Sequence, residues 1–288
     1  MKITDRVFQV AGRPCFICDF SPARSGDTEQ GSQADMSADV IAVAYNPGRA
    51  VRANSAMLAA SIKRNLGKET SFTLATRDMN KLALESQLLG AQLLGLENVV
   101  VVQGDPFSQR DLQRTKEVAD LSPSQLISRI ASLNHGMDFR GSKLRSPTDF
   151  CIGATVDLDR ELYKEVVLAC RKLRAGAHFL ITQPIFDTDQ AAGFHEAVEV
   201  LTHGPVGVPV FFGLQMLEQD GVSFSNVPDA VREELAQGKP GVKIALELYQ
   251  RFQEAGIHNV YLVPPIRRGG ARNYDAAREF LDGAAVAP

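Results

Sequence analysis

Eight short runs of apolar, often β-branched or aromatic residues, with longer stretches between them, constrain this chain more than any other feature. The runs are Cys15–Phe20, Val40–Tyr45, Phe72–Ala75, Val99–Gln103, Phe150–Ala154, Phe179–Thr182, Val208–Phe212 and Val260–Val263. Helical spacing of apolar residues is clearest at Asn80–Leu94, Leu158–Arg174, Asp189–Leu201 and Val242–Glu254. One unit recurs: Leu94-Gly95-Leu96, Ala175-Gly176-Ala177 and Ala255-Gly256-Ile257 each set a glycine just past a helix, then an apolar residue, then a strand. A helix that ends in the left-handed conformation favours glycine there, and the chain then turns back toward the sheet. The pattern predicts repeated βα units.

The chain has 288 residues, close to the roughly 250 that one (β/α)8 barrel occupies. Eight such units predict one α/β barrel domain over 1–288 rather than a doubly wound sheet with a second domain, and no GxGxxG opens the chain. Two stretches break the rhythm. Ser25–Ser37 is polar and predicts a stunted or missing first helix, while 106–147 reads as an insertion with a helix at Pro123–Leu133. Both follow strands, so both are expected at the face where barrel active sites form.

With 31 Lys and Arg against 34 Asp and Glu, the formal charge is −3, which offers no basic excess for a nucleic-acid backbone. No apolar run approaches the length of a membrane span and the N-terminal segment lacks a signal pattern, so a soluble, cytoplasmic protein without membrane partners is expected. Cys15 and Cys18 share a strand, about 10 Å apart on opposite faces, which disfavours a disulfide or a shared metal. The five histidines are scattered, and no metal site is expected.

Polar residues at the strand ends are the candidates for chemistry: Asp19, Arg77 with Asp78, Gln103 with Gly104 and Asp105, Thr155, Thr182 with Gln183, Gln215, and Arg267 with Arg268. An acid among apolar neighbours, as Asp19 reads, holds its proton near neutral pH, whereas Asp105 in a polar loop stays ionised. The pair suits acid-assisted chemistry. Structural readings stand beside this one: a turn cap for Asp105, a solvated strand end for Asp19, and for Asp78 an N-cap braced by Arg77. Arg52 and Ser55 suit either a phosphate at a helix start or plain surface polarity, and Gln183 and Phe186 suit either a heterocycle or the core.

Thr76-Arg77-Asp78-Met79-Asn80, Glu85-Ser86-Gln87-Leu88-Leu89-Gly90-Ala91, Gly95-Leu96-Glu97-Asn98-Val99 and Gly104-Asp105-Pro106 follow one another as in methylenetetrahydrofolate reductases. Leu133-Asn134-His135-Gly136-Met137-Asp138, Pro147-Thr148-Asp149-Phe150, Val156–Glu161 and Ala175–Asp187 resemble the branch also found fused to homocysteine methyltransferases. The resemblance covers nearly all of Pro14–Val263. It implies a (β/α)8 oxidoreductase of one-carbon metabolism, on the route to methionine. Its members reduce 5,10-methylenetetrahydrofolate to 5-methyltetrahydrofolate, usually as FAD flavoproteins with NADH or NADPH as hydride donor.

By the same resemblance Asp19 stands for the family's glutamate acid, one methylene shorter here, and Asp105 for the aspartate between flavin and pterin. Gln183 and Phe186 are implied in substrate binding, where Gln215 is expected as well. Thr73, Asp105 and Lys172 are implied around the cofactor, where Tyr45, Arg52, Gly104 and Thr155 are also expected. Thr73 replaces a flavin-contacting histidine, Ala44 a common threonine, and Gly153–Asp157 a longer loop. These departures leave open hydride transfer straight from a nicotinamide, which some relatives use. The alternative function is a folate-binding barrel with lost or altered catalysis, acting in a complex. A folate-linked methyltransferase ranks lower, without a cobalamin or zinc-thiolate feature. A homo-oligomer, or a complex with another one-carbon or electron-transfer protein, completes the partner expectations.

Overall fold

The computed structural model describes residues 1–223 and 225–286, and its eight strands close into one barrel in chain order. These are β1 (Cys15–Phe20), β2 (Val40–Val43), β3 (Thr70–Ala75), β4 (Asn98–Val102), β5 (Cys151–Val156), β6 (Phe179–Pro184), β7 (Val210–Gln215) and β8 (Asn259–Val263). Every neighbouring pair is parallel, including β8 with β1. The helices are α1 (Ile3–Gln9), α2 (Ser55–Leu66), α3 (Lys81–Leu93), α4 (Gln109–Leu112), α5 (Pro123–Asn134), α6 (Leu162–Arg174), α7 (Asp189–Thr202), α8 (Asp229–Ala236), α9 (Gly241–Glu254) and α10 (Tyr274–Val286). The predicted (β/α)8 barrel is therefore what the chain forms, and none of the described helices is long and apolar enough to cross a membrane.

The recurrent glycine does what its position predicts. Gly95, Gly176 and Gly256 all have positive φ, and in each unit the next residue's N–H donates across the helix end: Leu96 to Ala91, Ala177 to Lys172, Ile257 to Phe252. These are Schellman closures, and each tucks its apolar residue under the sheet.

Alternation along the strands sorts side chains between two layers. Cys15, Ile17, Val40, Ala42, Val100, Cys151, Phe179, Ile181 and Phe211 fill the barrel's interior, with Ile3 and Val10 from the α1 segment closing its lower end. The intervening residues pack outward against the helices. Gly153 leaves the space that the Phe179 ring occupies; a Cβ there would lie 2.3 Å from the ring.

The first barrel helix is indeed replaced, by a 3-10 turn at Thr28–Ala34. Helix α5, by contrast, packs on β4, α3 and α6, which makes it the barrel's own fourth helix. The extra chain within 106–147 is thus the irregular stretch before α5 and the loop after it.

Candidate functional site

Asp19 is the only acidic residue within the eight strands. It lies on the inward face two residues past Ile17, at the C-terminal end of β1. The expectation of a lone acid among apolar neighbours is corrected here. Asp19 is buried, yet both carboxylate oxygens are taken: the Tyr261 hydroxyl donates to Oδ1 at 2.9 Å and Arg272 Nε to Oδ2 at 3.0 Å. Burial, then the Asp19 charge, holds the Tyr261 hydroxyl well above a phenol's usual range. Burial disfavours the Arg272 charge, but Asp19 outweighs it and raises Arg272 further.

Arg272 reaches Asp19 because the chain folds back after β8. Ile266 and Arg272 form an antiparallel bridge, and Gly269 and Gly270 adopt positive φ at the tip. Neither Tyr261 nor Arg272 was among the sequence candidates. Inward parity on β8 could have flagged Tyr261, whereas nothing local marks Arg272 over Arg267 and Arg268, which pair with Glu218 and Asp220 on the exposed rim.

Across the mouth, Arg77 braces the ends of β3 and β4. Its Nε and Nη2 hold Asp78 at 2.6 and 2.8 Å, Nη1 donates to the Asp105 carbonyl at 2.6 Å, and the guanidinium stacks 4.3 Å from the Phe107 ring. Burial alone would raise Asp78, but its bonds from Arg77 and Tyr45 keep it below the usual carboxylate range. Tyr45 is pushed up to about 12, by burial first and then by Asp78. Asp78 does not cap α3; Asn80 does, accepting from the Ala83 amide. Gly104 combines a φ of +90° with close approach to Ala75 and Arg77, and the Asp105 side chain is exposed at the rim.

On the third side, β6 and β7 lose register between Ile181 and Pro184. The Thr182 hydroxyl bridges the irregularity, accepting from Gly213 N and donating to the Gln183 carbonyl. A bulge of this kind re-aims side chains at a barrel rim, and half-buried Gln183 sits in it. Phe186 lies instead in the apolar layer between sheet and helices. Gln215 is buried, its amide donating to the Val222 carbonyl and accepting from Ser223, so it pins the loop after β7.

The predicted cofactor positions divide. Inward parity brings Thr73 and Thr155 to the mouth with Tyr45 and Gly104. Lys172 spans from α6 to the Thr155 carbonyl at 2.6 Å, and burial lowers its pKa. Ser55 is buried and donates to the Thr73 carbonyl, while the first amides of α2 are capped by the Asn54 side chain. The helix start is therefore not open to a phosphate, and Arg52 turns the other way, toward Pro22. All four cysteines are free and buried, and no cluster of metal-ligating side chains occurs among the described residues.

A closed barrel whose strand ends and the loops after them bring acids, amides and guanidinium groups to one end is the architecture of a barrel enzyme site. The chain belongs to the methylenetetrahydrofolate reductase family: the family's model matches residues 27–264. Asp19 and Arg272 both lie outside that match. An uncharacterized protein from Clostridium thermocellum that binds two copies of 5-methyl-5,6,7,8-tetrahydrofolic acid is similar in structure, with a TM-score of 0.70 and 12% identity over 99% of this chain and 100% of that one. Dihydropteroate synthase from Thermus thermophilus gives 0.50 at 15% identity, over 96% and 93% of the two chains. At such identities both likenesses speak to the fold alone. No curated protein matches the sequence.

Proposed function

We propose that the barrel reduces 5,10-methylenetetrahydrofolate to 5-methyltetrahydrofolate, with NADH or NADPH as the hydride source. The observation that carries this reading is the family match over seven of the eight strands, β2 to β8, with Asp19 on the remaining strand facing the same mouth. Family membership supports folate chemistry, and the site residues support a role for each step.

Opening the five-membered ring breaks a carbon–nitrogen bond, puts a proton on the departing nitrogen and leaves an iminium at the other. Hydride then adds to the methylene carbon and oxidised nicotinamide leaves. In this reading Asp19 stabilises the cationic iminium and hands to the departing nitrogen a proton taken up from solvent, while the Tyr261 hydroxyl 2.9 Å away holds the carboxylate in position. Arg272 must release or share Asp19 when substrate arrives. Gln183 offers an amide donor and acceptor to the pterin edge, and Asp105 stands at the rim as its electrostatic partner.

FAD is the family's usual cofactor. Of the cations at or beside the predicted positions, Lys172 is engaged with Thr155 and Arg77 with Asp78 and Asp105, while Arg52 makes no ion pair among the described residues. With Lys172 and Arg77 committed in this way, the reading favours a hydride taken straight from the nicotinamide.

The test combines a visible spectrum of the purified protein with product analysis after incubation with methylenetetrahydrofolate and NADH or NADPH. Formation of 5-methyltetrahydrofolate without bound flavin supports the reading. Tight folate binding without product overturns it in favour of the folate-binding alternative, in which the Asp19–Arg272 pair stays closed.

A further inference from the structure

Between the ends of β1, β2 and β8 lies a polar corner whose Ser21, Arg24 and Arg52 have no step in the proposed reaction. Arg52 Nη1 donates to the Pro22 carbonyl at 2.8 Å, while its Nε is buried without a partner. One residue before Pro22, the Ser21 hydroxyl is likewise buried and unpartnered. The hairpin after β8 completes the corner. A Cβ at Gly270 would lie 2.9 Å from Arg52 Nη2, so glycine is what lets the Arg52 guanidinium lie against the hairpin, and Arg272 Nη1 reaches the Gly270 carbonyl from the other side.

The charges do not balance. Asp19 is committed to Arg272, and among the described residues neither Arg52 nor the exposed Arg24 makes an ion pair. Burial first, then the Arg272 and Arg24 charges, lowers the pKa of Arg52, as like charges without a counterion do. An Arg52 guanidinium without a carboxylate partner, held on the Pro22 carbonyl one residue from Ser21, whose hydroxyl also lacks a partner, has the chemistry that recognises an oxyanion.

We propose that Arg24, Arg52 and the Ser21 hydroxyl form an oxyanion subsite, which holds the charged tail of a ligand whose ring sits in the barrel mouth. The group is a phosphate or a carboxylate. Both sources exist among the ligands proposed above: the phosphates of a nicotinamide dinucleotide and the glutamyl carboxylates of a folate. The inference rests on the proposed function only for this choice of probes.

The experiment is calorimetric titration of the full chain, wild type, Arg52→Ala and Arg24→Ala, with NADPH, NADH, and tetrahydrofolate bearing one or five glutamates. Each substitution is expected to weaken one class of ligand about tenfold, with the loss shrinking at high salt because exposed charge contacts are screened. Loss confined to the dinucleotides assigns the phosphate. Loss confined to the folates, larger for five glutamates, assigns the carboxylates. Affinities unchanged in both variants overturn the subsite, as does a loss that ignores salt. Should Arg52→Ala not fold, Arg24→Ala decides, since that side chain is exposed. Binding is read without turnover, so a barrel that binds through these arginines but makes no product sinks only the reductase reading.

Discussion

Arg272 and Asp19 are 253 residues apart in sequence and meet in a 3.0 Å ion pair, with both side chains almost fully buried at the barrel mouth. Removing either partner strands a buried charge, which costs about 3 kcal/mol or more, whereas removing both leaves none. Asp19→Asn and Arg272→Met should each destabilise strongly in urea unfolding, and the double variant should recover part of the loss. Additive losses would show that the pair is not coupled.

Gly153 and Phe179 make the corresponding apolar relationship inside the barrel. Gly153→Ala drives a methyl into the ring and should cost about 1–3 kcal/mol by overpacking. Adding Phe179→Leu to that variant should restore part of the melting temperature; no recovery would mean that the strain lies elsewhere.

Tyr249 is buried between Phe16 and Phe280 with its hydroxyl unpartnered. Tyr249→Phe removes an unsatisfied donor and keeps the ring, so stability should hold or rise by about 1 kcal/mol. A clear loss in thermal unfolding would mean that the hydroxyl has a partner in solution.

Asp39 ties the lower end of the barrel together, accepting from Arg6, Arg13 and the Phe16 amide. Burial alone would raise its pKa, but the Arg13 bond and the Phe16 amide prevail and hold it below the usual carboxylate range. A depressed carboxyl pKa stabilises the fold above the unfolded value and loses that contribution as pH falls through the folded one. Unfolding free energy should therefore drop as pH falls from about 4, and Asp39→Asn should flatten that acid limb. An unchanged acid limb in the variant would contradict the assignment.

The strands were legible because parallel barrel strands are covered on both faces and read as continuous apolar runs. Their edges were less so: β2 stops at Val43 rather than Tyr45, and β7 runs on to Gln215. Helix α1 carries little signal in the sequence, being seven residues long and recognisable only by the barrel end it closes. Asp19, Thr155, Gln183 and Gln215 are legible as strand-end residues from the apolar runs that they close or follow. Their partners could not, since the bond from Arg272 to Asp19 and the loop that occupies Gln215 depend on tertiary closure. Phe186 shows the limit of motif reasoning: its place in sequence suits stacking on a ring, while its place in the fold is the outer core.

In the proposed reaction Asp19 serves the reduction of a folate in this mouth. The most direct test is to incubate the purified protein with methylenetetrahydrofolate and NADH or NADPH, and to quantify 5-methyltetrahydrofolate for wild type and Asp19→Asn, after checking that the variant is folded. Product is expected from the wild type, with a loss of about a hundredfold or more in the variant, the scale of a general-acid contribution. Equal product from both, or none from a wild type that binds the folate, would contradict it.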